Sequence, residues 1–126
     1  MPRLIRRASL WLPPLAYMAL IYYLSSQSDP VPQVTSVVWD KLLHLVEYGG
    51  LAVLLARAML GEGLTARVAL VAAVLLTSAY GATDEAHQSR VPQRQADVRD
   101  WIVDSIGAVA GAGIATTWRQ RGSSRV

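Results

Sequence analysis

The chain contains no cysteine and few charged residues. None of its 126 residues is a cysteine, which excludes disulfide bonds and thiolate chemistry. Charged residues make up only 17% of the chain, against about 25% in ordinary soluble domains, whereas hydrophobic residues make up 52%. No internal repeat or low-complexity segment is evident. This composition favours a membrane protein over a soluble domain.

Four long stretches of the sequence are almost free of charge. They are residues 8–24, 42–60, 68–83 and 101–118. A helix needs about 20 apolar residues to cross the hydrocarbon of a bilayer, with a lower limit near 17, and each stretch is near or slightly under that limit. The sequence therefore predicts an all-α fold, a polytopic membrane bundle of four transmembrane helices that forms one domain over residues 1–126.

Basic residues lie beyond both ends of this predicted bundle. They are Arg3, Arg6, Arg7, Arg119, Arg121 and Arg125. Because basic flanks mark the cytoplasmic side, the sequence predicts an N-in, C-in topology, with loop 61–66 also inside. The bilayer is then the expected partner. Nucleic acid is not expected, since no basic patch is interleaved with aromatic residues. A cleaved signal peptide is the alternative for the N-terminus, but the apolar stretch is long and three more follow it.

Polar side chains recur at helical spacing near the predicted outer ends of the helices. One set shares a face of the second helix. A second set lies at the end of the third helix, and a third set lies at the start of the fourth helix, before two glycines. The three sets are Asp40, His44, Glu47 and Tyr48; Tyr80, Asp84 and Gln88; and Asp97, Asp100 and Asp104, followed by Gly107 and Gly111. Ionisable groups at membrane depth normally face the bundle interior and pair there. We therefore expect these side chains to face one another rather than lipid.

Each of these residues also has a purely structural interpretation. Asp40 is a good helix N-cap, His44 can donate a hydrogen bond to a carboxylate, and Asp104 can join two helices. Glu47 can pair with a nearby basic side chain. The glycines in 107–111 match a GxxxG motif, for which close helix packing is the favoured interpretation. The serines in 25–28 have no catalytic partner at a recognisable spacing.

The sequence does not decide what chemistry these polar residues perform. Histidine and carboxylates are ligands for divalent metals, but neither 44–47 nor 84–87 matches the HExxH zinc motif. The nearby arginines could bind a phosphate or a carboxylate; they are Arg90, Arg94 and Arg99. The sequence identifies no cofactor and no metal. A pocket at headgroup level with these groups would suit a lipid-linked or amphipathic ligand.

Three segments, in this order, resemble the VanZ-like family of small bacterial membrane proteins. They are YYLSSQS (22–28), DKLLHLVEYGGLAVLL (40–55) and DEAHQSRVPQRQADVRDWIVDSIGAVAGAG (84–113). The positions that carry the resemblance are Ser25, Ser26, Gln27, Asp40, Lys41, His44, Tyr48, Asp84, Glu85, Gln88, Arg94, Asp100, Gly107 and Gly111. This chain departs from the family pattern at Asp104, where Asn is frequent.

The resemblance implies a multi-pass protein of the bacterial cytoplasmic (inner) membrane. The family is named for a member linked to low-level resistance to teicoplanin, a lipoglycopeptide, which is a phenotype and not a reaction. Because the outer polar residues form no complete catalytic constellation, the first hypothesis is a non-enzymatic envelope protein that binds an amphipathic or lipid-linked ligand there. The expected ligand-binding residues are Ser26, Gln27, Asp40, Lys41, Glu47, Tyr48, Gln88, Arg94, Asp100 and Asp104. Some members are labelled phosphotransbutyrylase, but no acyl-phosphate or coenzyme A site is visible in this sequence.

Two other hypotheses remain open at this point. In the first, the protein is an intramembrane enzyme acting on an envelope lipid or peptidoglycan precursor. His44 would then be a general base or metal ligand, Asp84 and Glu85 its carboxylate partners, and Arg94 an anion clamp. In the second, the polar residues form a proton or ion pathway. The cytoplasmic halves of the predicted helices offer no comparable ionisable residues to complete it.

Overall fold

The computed structural model describes residues 2–26, 37–92 and 97–124, without the side chains of residues 37–40 and 123. The described residues form four helices and no strand, which confirms the all-α prediction. The helices are α1 (Arg3–Ser25), α2 (Val37–Gly61), α3 (Ala66–Gln88) and α4 (Val98–Ser123). Each helix contains its predicted apolar stretch and extends past it at both ends.

Two helices begin directly after a side chain that caps their first turn. The hydroxyl of Thr65 accepts the backbone N–H of Val68 at 3.3 Å at the start of α3. The carboxylate of Asp97 accepts the backbone N–H of Arg99 at 2.9 Å at the start of α4. Such caps satisfy donors that lack partners within the helix. The N-cap interpretation of Asp40 is wrong, since α2 already begins at Val37.

Contacts between distant residues define the two ends of the bundle. At one end, Ser26 beyond α1 lies against His87 of α3, and His44 of α2 lies against Asp104 of α4. We call this the polar end; it comprises residues 25–26, 41–48, 84–88 and 97–104. At the opposite end, which we call the basic end, Arg7 of α1 contacts Glu62 beyond α2. The four helices therefore alternate in direction along the chain.

The contact between α2 and α4 is the most extensive in the bundle and depends on glycine. A methyl group added at Gly107 would lie 2.6 Å from the carbonyl oxygen of Leu45, and one added at Gly111 would overlap the backbone of Gly49. This geometry confirms close packing as the role of the 107–111 motif. It also holds the polar ends of α2 and α4 together.

The outer surface of the bundle is apolar. Large apolar side chains are exposed on all four helices; they include Leu12, Leu15, Leu20, Val46, Val71, Leu75, Leu76, Ile102, Ile106, Val109, Ile114 and Trp118. Among the described residues, two helical segments are long and apolar enough to cross a membrane, Lys41–Gly61 and Ala66–Gln88. Much of the second is exposed, unlike a core helix in a soluble protein. These features indicate a membrane protein.

Candidate functional site

The polar end encloses ionisable side chains from three helices. The buried polar residues there are Ser25, His44, Asp84, Glu85, Gln88, Asp100 and Asp104. Polar groups are costly to bury unless they are paired, and buried charges are costlier still. The expectation that the polar sets face the interior of the bundle is confirmed for their buried members, which are His44, Tyr48, Asp84, Gln88, Asp100 and Asp104.

His44 and Asp104 form the central pair of this buried group. The Nδ1 atom of His44 donates to Oδ1 of Asp104 at 2.8 Å, which joins α2 to α4. Asp104 is fully buried, and a second carboxylate, that of Asp100, approaches Nε2 of His44 to 3.9 Å. The structural interpretation of both residues is therefore correct: His44 donates to a carboxylate, and Asp104 joins two helices.

Lys41 lies one turn above His44 and neutralises the outermost acids. Its ammonium group forms an ion pair with Asp100, which is buried, and another at 3.4 Å with Asp97. Lys41 is a half-buried side chain whose charge lies at the rim of the polar end. Two acids of the cluster, Asp97 and Asp100, thus share Lys41 as a cationic partner.

A second buried pair joins α2 to α3. The hydroxyl of Tyr48 donates to Oδ2 of Asp84 at 2.7 Å, and both residues are buried. The ring of Tyr48 lies almost parallel to that of His44, with 6.2 Å between ring centroids. Gly81 makes room for this arrangement, since a methyl group there would lie 3.1 Å from Asp104 and 3.3 Å from Tyr48.

Glu85 connects α3 to the start of α4. Its Oε2 atom accepts the backbone N–H of Asp97 at 2.9 Å. Asp97 in turn accepts from the backbone and the guanidinium of Arg99, and these two bonds hold the pKa of Asp97 at about 2. The side chain of Glu85 therefore positions the residue that caps α4.

Ser26 and His87 form a contact that no sequence spacing indicated, because 61 residues separate them. Oγ of Ser26 lies 2.9 Å from Nε2 of His87 and 2.8 Å from the carbonyl oxygen of Tyr22. The single hydroxyl proton of Ser26 can serve only one of these two contacts at a time, and the tautomer of His87 decides which. The arrangement positions the end of α1 against α3.

Several expected site residues lie apart from this group or outside the described residues. Gln27 and Arg94 are not among the described residues, and the side chain of Asp40 is not described. Arg99 is exposed and bonds to Asp97 on its own helix, and Arg90 is also exposed. The interpretation of these two arginines as anion-binding groups stays a prediction.

Other expected residues do lie at the polar end. Gln88 is buried and its amide lies 3.5 Å from the hydroxyl of Ser25. Glu47 is half-buried one turn from His44. The sequence grouped Asp97 with the polar residues of this end but not with the expected ligand-binding residues, and it gave His87 no role. The contacts of Asp97 with Lys41 and Glu85, and of His87 with Ser26, place both residues at the polar end.

Four buried side-chain oxygens among the described residues have no hydrogen-bond partner. They are Thr77 Oγ1, Asp84 Oδ1, Glu85 Oε1 and Asp104 Oδ2. Three of them belong to carboxylates at the polar end. One donor atom each from His44, Glu85 and Asp104 lies within 4.8 Å of the other two, so this triplet is able to hold a metal ion.

The fold and the site together define a class of protein: a small helical membrane protein with an apolar exterior and a buried ionisable cluster at one end. A family model described as VanZ/LLP1 matches residues 4–119, which is most of the chain. The chain therefore belongs to the VanZ/LLP1 family, as its motifs indicated. No curated protein and no solved structure shows significant similarity to it.

Proposed function

We propose that the protein crosses the bacterial cytoplasmic membrane four times and binds the polar part of an amphipathic or lipid-linked molecule at its polar end. The observation that carries the proposal is the convergence of buried ionisable groups at one end of a bundle whose exterior is apolar. Intramembrane ionisable residues are expensive to maintain and usually mark functional sites. In the proposed orientation, the polar end of the bundle lies near the headgroup region.

The distribution of charge supports a cytoplasmic basic end and an outward-facing polar end. Arg6 donates to the carbonyl oxygen of Gly61, Arg7 pairs with Glu62, and Arg57 lies close enough to donate to Ser9. Basic residues concentrate at this end, and such residues favour the cytoplasmic side. The N-in, C-in topology follows from this rule, and it gives α1 and α4 the same transmembrane role as α2 and α3.

Binding is favoured over catalysis by the contacts within the site. His44 is engaged with Asp104, and Ser26 lies against His87. Among the described residues, no acidic side chain contacts His87, so the third group that orients the base in nucleophilic catalysis is not found there. The ligand class is an amphipathic molecule with a polar or charged headgroup, and a lipoglycopeptide such as teicoplanin is one candidate.

Cysteine labelling tests the topology. The chain has no cysteine of its own, so a single thiol introduced by Gly63→Cys or Arg90→Cys is the sole labelling site. The variants are expressed in a bacterium that has no outer membrane. In intact cells, a membrane-impermeant maleimide should label Arg90→Cys and not Gly63→Cys. Both should react after the membrane is permeabilised. Labelling of both thiols, or of Gly63→Cys alone, in intact cells would overturn the orientation.

Ligand binding is tested directly and in cells. The purified protein in nanodiscs is titrated with teicoplanin and, separately, with total bacterial lipid extract, and retained molecules are identified by native mass spectrometry. The susceptibility of a teicoplanin-sensitive bacterium is then compared at matched membrane levels of the unmodified chain, Asp84→Asn and Glu62→Gln. Glu62 is an acid at the opposite end. Retention and protection that Asp84→Asn loses and Glu62→Gln keeps would support the proposal; retention of no lipid and no glycopeptide would overturn it.

A further inference from the structure

We propose that His44, Glu85 and Asp104 form a binding site for one divalent first-row metal ion inside the polar end. The three residues come from α2, α3 and α4, so an ion bound there would connect all three helices. This inference concerns the protein alone and does not depend on the identity of any amphipathic ligand.

The geometry suits an ion. One donor atom from each residue lies within 4.8 Å of the other two. Two ligands bound at about 2.1 Å to the same ion lie at most about 4.2 Å apart. The limit of 4.8 Å is slightly larger than this separation, so the three donors would have to move closer together to bind one ion.

A second observation comes from the unpartnered oxygens. Oδ2 of Asp104 has no hydrogen-bond partner although the residue is fully buried, and Oε1 of Glu85 has none although only 8% of that residue is exposed. Buried polar atoms are normally satisfied, and an unpaired carboxylate oxygen is especially costly. Oδ1 of Asp84, the residue that precedes Glu85 in α3, is a third unpartnered oxygen. A cation among these oxygens would remove the cost.

In the part of the polar end that the structure describes, Lys41 and Arg99 pair with acids other than Glu85 and Asp104. The ammonium group of Lys41 pairs with Asp100 and Asp97, at the rim of the site. Asp104 and Glu85 instead accept one hydrogen bond each, from His44 and from the backbone of Asp97. Each carboxylate therefore has one oxygen committed and one oxygen unpartnered.

The chemistry of the three proposed ligands favours some metal ions over others. One imidazole nitrogen with two carboxylate oxygens suits Mn²⁺ or Zn²⁺ better than Mg²⁺ or Ca²⁺, which prefer oxygen alone. Three protein ligands leave at least one position open for water or an anionic oxygen.

Asp104 provides the most informative variant. The motif resemblance places Asn frequently at this position, so Asp104→Asn is expected to fold while losing the carboxylate. Glu85→Gln removes a ligand on another helix and keeps an acceptor for the N–H of Asp97. Glu62→Gln at the basic end is the matched control, since it removes one acid far from the triplet.

The experiment uses the full-length protein in detergent, stripped with chelator and titrated with Mn²⁺, Zn²⁺ and Co²⁺ by calorimetry. Metal content after dialysis is measured by mass spectrometry, and helix content and monodispersity are checked for every variant. We expect one ion per chain, Co²⁺ absorption bands that report nitrogen and oxygen ligands, and affinity reduced at least about tenfold in Asp104→Asn and Glu85→Gln. Glu62→Gln should bind as the unmodified chain does. Absence of stoichiometric binding, or equal binding by all four proteins, would overturn the proposal.

Discussion

Nδ1 of His44 donates to Oδ1 of Asp104 at 2.8 Å, and this bond joins α2 to α4 inside the polar end. The two residues are 60 positions apart in the chain, and Asp104 is fully buried. A carboxylate in that position depends on its donor, since little or no water reaches it. Replacing either residue of this pair is therefore expected to change the stability of the bundle as well as the site.

The first prediction concerns this pair. His44→Ala should lower the free energy of unfolding by about 1–3 kcal/mol, because it leaves the Asp104 carboxylate buried without a donor. Asp104→Asn should cost less, since its amide oxygen still accepts from His44. Thermal unfolding in detergent micelles, followed by circular dichroism in the presence of chelator, measures both. A larger loss in Asp104→Asn than in His44→Ala would contradict the prediction.

The second prediction concerns the bond between α2 and α3. Tyr48→Phe removes the hydroxyl that donates to Asp84 at 2.7 Å and leaves that buried carboxylate without this donor. We expect a loss of about 1–3 kcal/mol in the free energy of unfolding. Tyr22→Phe is the control, because the side chain of Tyr22 is exposed on α1. Equal stability of the two variants would show that Asp84 does not depend on Tyr48.

The third prediction concerns the helix contact below the site. Gly111→Ala places a methyl group against the backbone of Gly49 and should separate α2 from α4, whereas Gly113→Ala meets no atom within 4 Å. Alanine is favoured over glycine inside a helix by about 1 kcal/mol, so the second change should be neutral or stabilising. Melting temperatures of the two purified variants provide the test. A stabilised Gly111→Ala protein would refute tight packing at this position.

The fourth prediction concerns pH. The pKa of Asp97 is held at about 2, below its ordinary value near 4, by the backbone N–H and guanidinium of Arg99. A carboxyl group whose pKa is lower in the folded state contributes its full stabilisation above the unfolded pKa. That contribution is lost as pH falls through the folded pKa. The stabilising effect of Asp97 should therefore be complete above about pH 4 and fade toward pH 2.

The comparison of the unmodified chain with Asp97→Asn isolates this charge, because Asn is also a good N-cap. The difference in melting temperature should be present at pH 6 and should shrink as pH falls from 4 toward 2. A difference that stays constant over this range would show that the charge of Asp97 does not contribute.

Local periodicity was sufficient to predict the helices and the faces they bury. Asp100, Asp104 and Gly107 recur at the spacing of one helical face, and all three are buried. The four-helix prediction needed only long apolar stretches and the flanking polar residues. The helix ends were predicted less well, since a helix continues into polar sequence wherever its backbone hydrogen bonds can form. Thus α2 begins at Val37, ahead of the expected cap at Asp40.

Only the tertiary structure decided which polar residues meet. The pairs His44–Asp104, Tyr48–Asp84 and Ser26–His87 each join different helices. No local spacing encodes such contacts, because they depend on how each helix is rotated and how closely the glycines allow it to approach. The same rotation leaves Arg99 exposed and paired within its own helix. The sequence by itself determined the class of fold, the family and the clustering of polar groups at one end of the helices. Packing determined which carboxylate oxygens were satisfied and which remained available for a cation.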